Sequence, residues 1–234
     1  YVDIGSFDKI SQWIPSPNRI PEDILSRVCY QVLKGLVYLL TKHKIVHRDL
    51  KPSNFMLNSQ GVIKIADFGV SKELITRKNA DSFTGTIGYL APERVSQDGS
   101  SYTSKADIWS LGLTLLELAL ARFPFPPPDE PPLNSVLDLL RYIEEEPAPN
   151  VPSDEGFSPE FAAFIEKWYT SPHKAIGNTC SLKKDPEERP TAQELLLEEF
   201  CAREEECDGD LTAWANQIVI PARQEYERAE SVLE

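Results

Sequence analysis

His47-Arg48-Asp49-Leu50-Lys51-Pro52-Ser53-Asn54, followed by Asp67-Phe68-Gly69, decides how this chain is read. Asp49 can accept a hydroxyl proton, Lys51 offers a cation two residues on, and Asn54 adds an amide three residues further. Asp67 supplies a second acid beside the hinge glycine Gly69. A base for an attacking hydroxyl, a cation for a γ-phosphate and oxygen ligands for magnesium form the set that phosphoryl transfer from ATP requires. Each three-residue string is weak alone. In this order, and followed by Ala91-Pro92-Glu93, they are specific. A bland reading exists for Asp49, as an acid capping a turn, but it does not account for Lys51, Asn54 and Asp67 falling in register.

Composition sets the outer bounds. The 234 residues are enough for one domain with a substantial core, and 41% hydrophobic with 26% charged residues is the balance of a soluble globular protein. A net charge of −13 argues against nucleic acid or anionic membrane as a partner. Much of the acid lies in Glu187-Glu188 and between Glu198 and Asp210, which reads as solvated surface. The apolar stretch Ile108 to Ala121 is broken by Ser110, Thr114 and Glu117 and is too short to span a bilayer. No leader pattern opens the chain, and Tyr1 in place of Met reads as a start inside a longer protein. Cys29, Cys180, Cys201 and Cys207 have no Cys-x-x-Cys spacing, so reduced thiols and a cytoplasmic location are expected rather than zinc or a disulfide scaffold.

The pattern along the chain is mainly α. Residues 1–11 read as a connector entering a helix. Leu25, Val28, Cys29, Val32, Leu33, Leu36 and Leu40 recur at helical spacing, from Pro21 to about His43. Phe55–Asn58 and Val62–Ile65 flank Ser59-Gln60-Gly61 as a small β-hairpin. Asp67 to Glu93 has no sustained period and reads as a long loop, of the kind that is either functional or disordered. Ser104 is expected to cap a helix running to about Ala121 that is apolar on nearly every face and therefore central. A proline-rich loop runs from Pro124 to Pro132, followed by helices near 135–145, 158–168 and 191–200. The last opens on the capping box Thr191-Ala192-Gln193-Glu194. Leu211–Val219 and Pro221–Leu233 are expected to be two further short helices.

These residues resemble the protein kinase family over nearly the whole chain. More narrowly, Val46 to Asn54, Ala66 to Ser71, Ser82-Phe83-Thr84-Gly85-Thr86 and Phe123 to Pro127 resemble the mitogen-activated protein (MAP) kinase kinases. The resemblance implies that Asp49 is the catalytic base, Lys51 contacts the γ-phosphate, and Asn54 and Asp67 hold Mg2+. It implies that Thr86 shapes the substrate site, that Glu93 pairs with Arg189 and that Asp107 reaches back to the backbone near Arg48. For ATP it places Val2 at the adenine-binding hinge, Ser6 at the ribose and Met56 on the adenine floor, though a Met on a strand is as readily core packing. His47 would support the loop by hydrogen bonding. Arg48 beside Asp49 points to control by phosphorylation, with Ser82 as one acceptor and Thr76 as the other. The implied activity is transfer from ATP to threonine and tyrosine of a MAP kinase, downstream of a MAP kinase kinase kinase.

The chain departs from the family in two places. It has no Gly-x-Gly-x-x-Gly loop and no strand lysine, so the expected fold is a kinase-like C-terminal lobe with the N-terminal lobe absent from this chain. The expected organisation is a hinge segment at 1–5, the lobe at 6–208 and a tail at 209–234. Residues 169–179 stand between strings that run together in the family. Trp214, Ile218 and Val219 in the tail either dock the upstream kinase or seal the base of the lobe. The competing readings of the whole are a pseudokinase or scaffold without an N-lobe, and a serine/threonine kinase from another tier of the cascade.

Overall fold

A computed structural model describes residues 2–14, 19–68, 87–95, 103–169, 185–202 and 210–233. Ten α-helices and one small sheet follow in order among these residues: β1 (Gly5–Ser6), α1 (Phe7–Trp13), α2 (Glu22–Tyr38), β2 (Phe55–Leu57), β3 (Ile63–Ile65), α3 (Pro92–Val95), α4 (Ser104–Leu120), α5 (Val136–Glu145), α6 (Pro159–Tyr169), α7 (Ala192–Leu196), α8 (Glu199–Ala202), α9 (Leu211–Trp214) and α10 (Ile220–Leu233).

The middle of the fold is α4. Fourteen of its 17 residues are buried, so it has no polar face to turn to solvent. Its polar members are satisfied internally: the Thr114 hydroxyl donates to the Ser110 carbonyl at 2.8 Å, and the Ser110 hydroxyl donates to the Tyr89 carbonyl at 2.7 Å. The cap is Thr103, not Ser104, and no side chain bonds the first turn. Leu120 is the last helical residue because Ala121 turns left-handed at φ 53°.

Against α4 lies α2, which buries Ile24, Leu25, Val28, Cys29, Val32, Leu33 and Leu36 along one side. By length and composition Glu22–His43 could cross a membrane, but its apolar face packs on β3, α4 and α7 as a core helix does. Gly35 permits the close approach of the sheet, because a Cβ there would stand 3.0 Å from Ile65 Cδ1. After Tyr38 the helix widens into a π turn over Leu39–His43 and ends at Lys44, φ 56°. At its other end the Ser26 hydroxyl donates to the Phe200 carbonyl of α8 at 2.5 Å.

The sheet has three antiparallel strands in the order β1-β2-β3, one more than the hairpin expected from the sequence. Two-residue β1 is too short to show an alternating pattern, and its pairing is set by tertiary contacts. The β2–β3 turn is closed by Asn58, whose side-chain oxygen accepts from Gln60 and Val62 N–H, and by Gly61 at φ 71°. Neighbouring segments hold that turn on three sides. Asp3 accepts from Ser59 N–H and hydroxyl at 2.9 and 2.6 Å. Gln31 of α2 brackets Gly61 and Ile63, and Thr212 and Asn216 donate to the Gln60 and Ser59 carbonyls.

Two other boundaries differ from expectation. The segment near 191–200 is two helices, because α7, opened by its capping box, ends at Leu196 and Glu199 begins α8. Residues 211–233 form one continuous helical run, with a π turn at Ala215–Val219 between α9 and α10. Pro221 has no N–H to donate, and the wider turn just before it accommodates the missing bond without ending the helix. Trp214 and Val219 are buried, and Trp214 stacks on Phe7 at 6.4 Å, so both seal the base of the fold; Ile218 is exposed. Trp13, Trp214, Ile218 and Tyr226 line a groove of 740 Å³ there.

Candidate active site

The loop from His47 to Asn54 joins α2 to β2 and is bonded at almost every peptide. Asp107, 4% exposed at the start of α4, accepts from His47 N–H with Oδ2 and from Arg48 N–H with Oδ1, both at 2.7 Å. Burial pushes its carboxyl above the usual carboxylate range, and these two N–H bonds oppose that shift. Arg48 sits at φ 75°, a left-handed conformation uncommon for a residue with a side chain. Its carbonyl accepts from Arg94 Nη1 at 2.8 Å.

His47 is fully buried, and its ring links two parts of the site. Nε2 donates to the Ala66 carbonyl at 2.8 Å; a carbonyl can only accept, so Nε2 carries the hydrogen. Nδ1 is then free to accept from Asp49 N–H at 3.3 Å. The imidazole also meets the Phe68 ring edge-on at 5.3 Å.

Asp49, Lys51 and Asn54 come together as one cluster. Lys51 Nζ lies 3.1 Å from Asp49 Oδ2, and Asn54 Nδ2 donates to the same oxygen at 3.1 Å and to the Asp49 carbonyl at 2.7 Å. Oδ2 is thus held by two donors, and Oδ1 is the oxygen left to take a proton. Asn54 is placed by the short 3-10 turn Pro52–Asn54 and is 3% exposed. Its amide hydrogens are engaged with Asp49, which leaves its oxygen for a hard cation. Ala66 N–H donates to the Asn54 carbonyl at 2.8 Å, so the residue just before Asp67 is pinned to both Asn54 and His47. Asp67 itself is exposed, with φ 57°.

One amide oxygen and one exposed carboxylate fit Mg2+, which commonly takes one or two protein ligands and completes its shell with phosphate and water. No group of three or more His, Cys, Asp or Glu side chains among the described residues could hold a metal by itself. Nearby, Ser6 and Met56 face each other in the β1–β2 register. Ser6 is buried, while Met56 and Val2 are half-buried.

Below the cluster, Glu93 and Arg189 form a two-pronged ion pair with both N–O distances at 2.7 Å. The Arg189 side chain is 1% exposed; it also donates to the Lys105 carbonyl at 3.1 Å and lies over the Trp109 ring at 5.1 Å. The Lys105 ammonium donates in turn to the Arg189 carbonyl. Thr76, Ser82 and Thr86 lie outside the described residues, as does most of 169–179. Two residues of this network were not singled out from the sequence. Lys105 has the sequence context of an ordinary first-turn residue of α4. Arg94 follows the Ala91-Pro92-Glu93 string without belonging to it, and adjacency to Glu93 was its only cue.

The model of the protein kinase domain matches residues 1–201. Mitogen-activated protein kinase kinase 1 of Arabidopsis thaliana is 42% identical over 226 residues, which cover 94% of this chain and 58% of that protein. The MST7 mitogen-activated protein kinase kinase of Pyricularia oryzae is 41% identical, covering 92% of this chain and 49% of its own length. The dual specificity kinase dSOR1 of Drosophila melanogaster is 40% identical, with 92% and 54% covered. The chain therefore spans about half the length of these relatives. With the family model matched over most of its length and the Asp49–Lys51–Asn54 cluster assembled, the chain belongs to the protein kinase family, beside the mitogen-activated protein kinase kinases.

Proposed function

We propose that this chain carries the catalytic-loop half of a dual-specificity kinase that transfers the γ-phosphoryl group of ATP to threonine and tyrosine of a MAP kinase. The observation that carries this reading is the single cluster of Asp49, Lys51 and Asn54, bonded through Ala66 to the segment bearing Asp67. ATP supplies the phosphoryl group. Asp49 Oδ1 takes the proton of the substrate hydroxyl, while Lys51 and Asn54 hold the other oxygen and so fix the direction of the base. Lys51 offers its charge to the transferring phosphate, and Asn54 and Asp67 hold Mg2+. Ser6, Met56 and Val2 line the nucleotide side. We read the fold as that of a kinase C-lobe, and the free buried thiols Cys29 and Cys201 fit the proposed reducing, cytoplasmic setting. For the contact with the upstream MAP kinase kinase kinase we propose Ile218, which is exposed where Trp214 and Val219 are buried.

Two experiments test this reading. Neither a glycine-rich loop nor a strand lysine occurs in the 234 residues, so the full-length protein is expected to bind Mg2+-ATP and these residues alone to transfer no phosphate. In the full-length protein Asp67→Ala is expected to abolish the magnesium-dependent part of nucleotide affinity. An unchanged Mg2+-ATP titration would remove Asp67 from the metal site. Transfer by residues 1–234 alone, lost in Asp49→Asn, would overturn the division of labour between the two halves.

Regulation is proposed to run through Ser82 and Thr76. A phosphate adds about −1.5 to −2 charge and one to three charge-assisted hydrogen bonds, and Arg48 is the arginine beside the base. Ser82→Ala is expected to block activation by the upstream kinase, and Thr76→Ala to do so less completely. Phosphosite mapping with an activity assay decides the matter. Normal activation of Ser82→Ala, or phosphate found only elsewhere, excludes this switch.

A further inference from the structure

We propose that Arg94 is a positioning residue for the catalytic base: its guanidinium holds the Arg48 carbonyl and so fixes the peptide plane from which Asp49 is hung. The proposal rests on the reading of Asp49 as the base. A peptide unit is planar, so the Arg48 carbonyl and the Asp49 N–H move as one body. Arg94 Nη1 donates to the carbonyl end of that unit at 2.8 Å, and His47 Nδ1 accepts from its N–H end at 3.3 Å. The preceding peptide is held by Asp107, which takes the Arg48 N–H at 2.7 Å. Arg48 therefore has its N–H bonded from α4 and its carbonyl bonded from α3.

Such restraint answers a specific need. Arg48 is left-handed at φ 75°, a conformation that persists in a residue with a Cβ only when its surroundings enforce it. Asp107 fixes only the N–H side of Arg48, and rotation of the next plane about ψ of Arg48 is then resisted at its N–H end by the longer 3.3 Å contact to His47 Nδ1. Rotation there would swing Asp49 away from Lys51 and Asn54, whose contacts with Oδ2 define the aim of the base. Arg94 blocks that rotation. The helix that carries it is itself anchored, because its neighbour Glu93 is clamped by Arg189. An arginine suits the task better than a lysine, since its planar fork keeps a fixed direction over a long reach.

The test is kinetic, in the full-length activated protein. Arg94→Met keeps the apolar stem and removes the donors, and Arg94→Lys restores one donor. Misplacing a reacting group by about 1 Å can cost on the order of 10²-fold. Arg94→Met is therefore expected to lower kcat by roughly 10- to 100-fold, with the KM values for ATP and protein substrate little changed. Arg94→Lys is expected to recover part of that loss. In an Asp49→Asn background Arg94→Met should lower the residual rate little further, because the group it positions is already disabled. The proposal is overturned by a kcat of Arg94→Met within about twofold of the parent, by a change confined to KM, or by equal losses in Arg94→Met and Arg94→Lys. A full further loss on the Asp49→Asn background overturns it as well. If Asp49→Asn itself leaves kcat unchanged, the reading of Asp49 as the base fails instead, and that result is separate from any effect of Arg94.

Discussion

Asp49→Asn in the full-length protein is expected to lower kcat by about 10²- to 10⁴-fold, the range a positioned general base contributes. The geometry makes this substitution unusually clean. Lys51 and Asn54 both donate to Asp49 Oδ2. A substituted amide must therefore turn its oxygen toward those donors and place its NH2 group where Oδ1 stood. That group cannot accept a proton and points hydrogens at the incoming hydroxyl. Nucleotide affinity should change little, because Asp49 is not assigned to the metal or the phosphates. Steady-state kinetics with a separate nucleotide titration checks both halves. A variant that keeps most of its turnover would remove Asp49 from the role of base.

The second large effect is on stability. Glu93→Ala is expected to cost about 3–5 kcal/mol, because it leaves the Arg189 charge buried without its carboxylate. The guanidinium cannot swing out to water, being held by the Lys105 carbonyl on one side and the Trp109 ring on the other. For a domain of this size each kcal/mol lowers Tm by about 2–4 °C, so a drop of roughly 6–20 °C is expected. Replacing both partners together, Glu93→Leu with Arg189→Met, should restore much of the loss, because two well-packed apolar groups leave no buried charge. Denaturant titration of the single and double variants is the measurement. Equal destabilisation in both would show that packing, not stranded charge, sets the cost.

What could be read from the sequence divides along physical lines. The centrality of α4 was legible because a helix apolar on every face has only one place to go, and the α2 stripe was legible because its period is long and regular. The catalytic-loop cluster was legible because its residues lie within eight positions of each other in the chain. Strand β1 was not legible: two residues, Gly5 and Ser6, carry no period, and β2 supplies the pairing. The junction between the last two helices falls just before Pro221, as the sequence suggested, but the π turn that keeps the run continuous leaves no mark in composition. Arg94 was missed for a different reason. Its partner is a backbone carbonyl 46 positions away, and a backbone atom has no residue type to search for.

These elements converge on one arrangement. A buried acid on α4 and an arginine on α3 hold a left-handed turn, and that turn presents a carboxylate whose second oxygen is already engaged. The presented oxygen is proposed to serve phosphoryl transfer to a protein hydroxyl. The most direct measurement combines the full-length protein with Mg2+, γ-labelled ATP and a MAP kinase disabled in its own active site, with acceptor residues mapped by mass spectrometry. Label is expected on threonine and tyrosine of the MAP kinase and is expected to be lost when Asp49→Asn replaces the parent. Absence of transfer by the activated protein, or transfer that survives Asp49→Asn, would contradict this proposal.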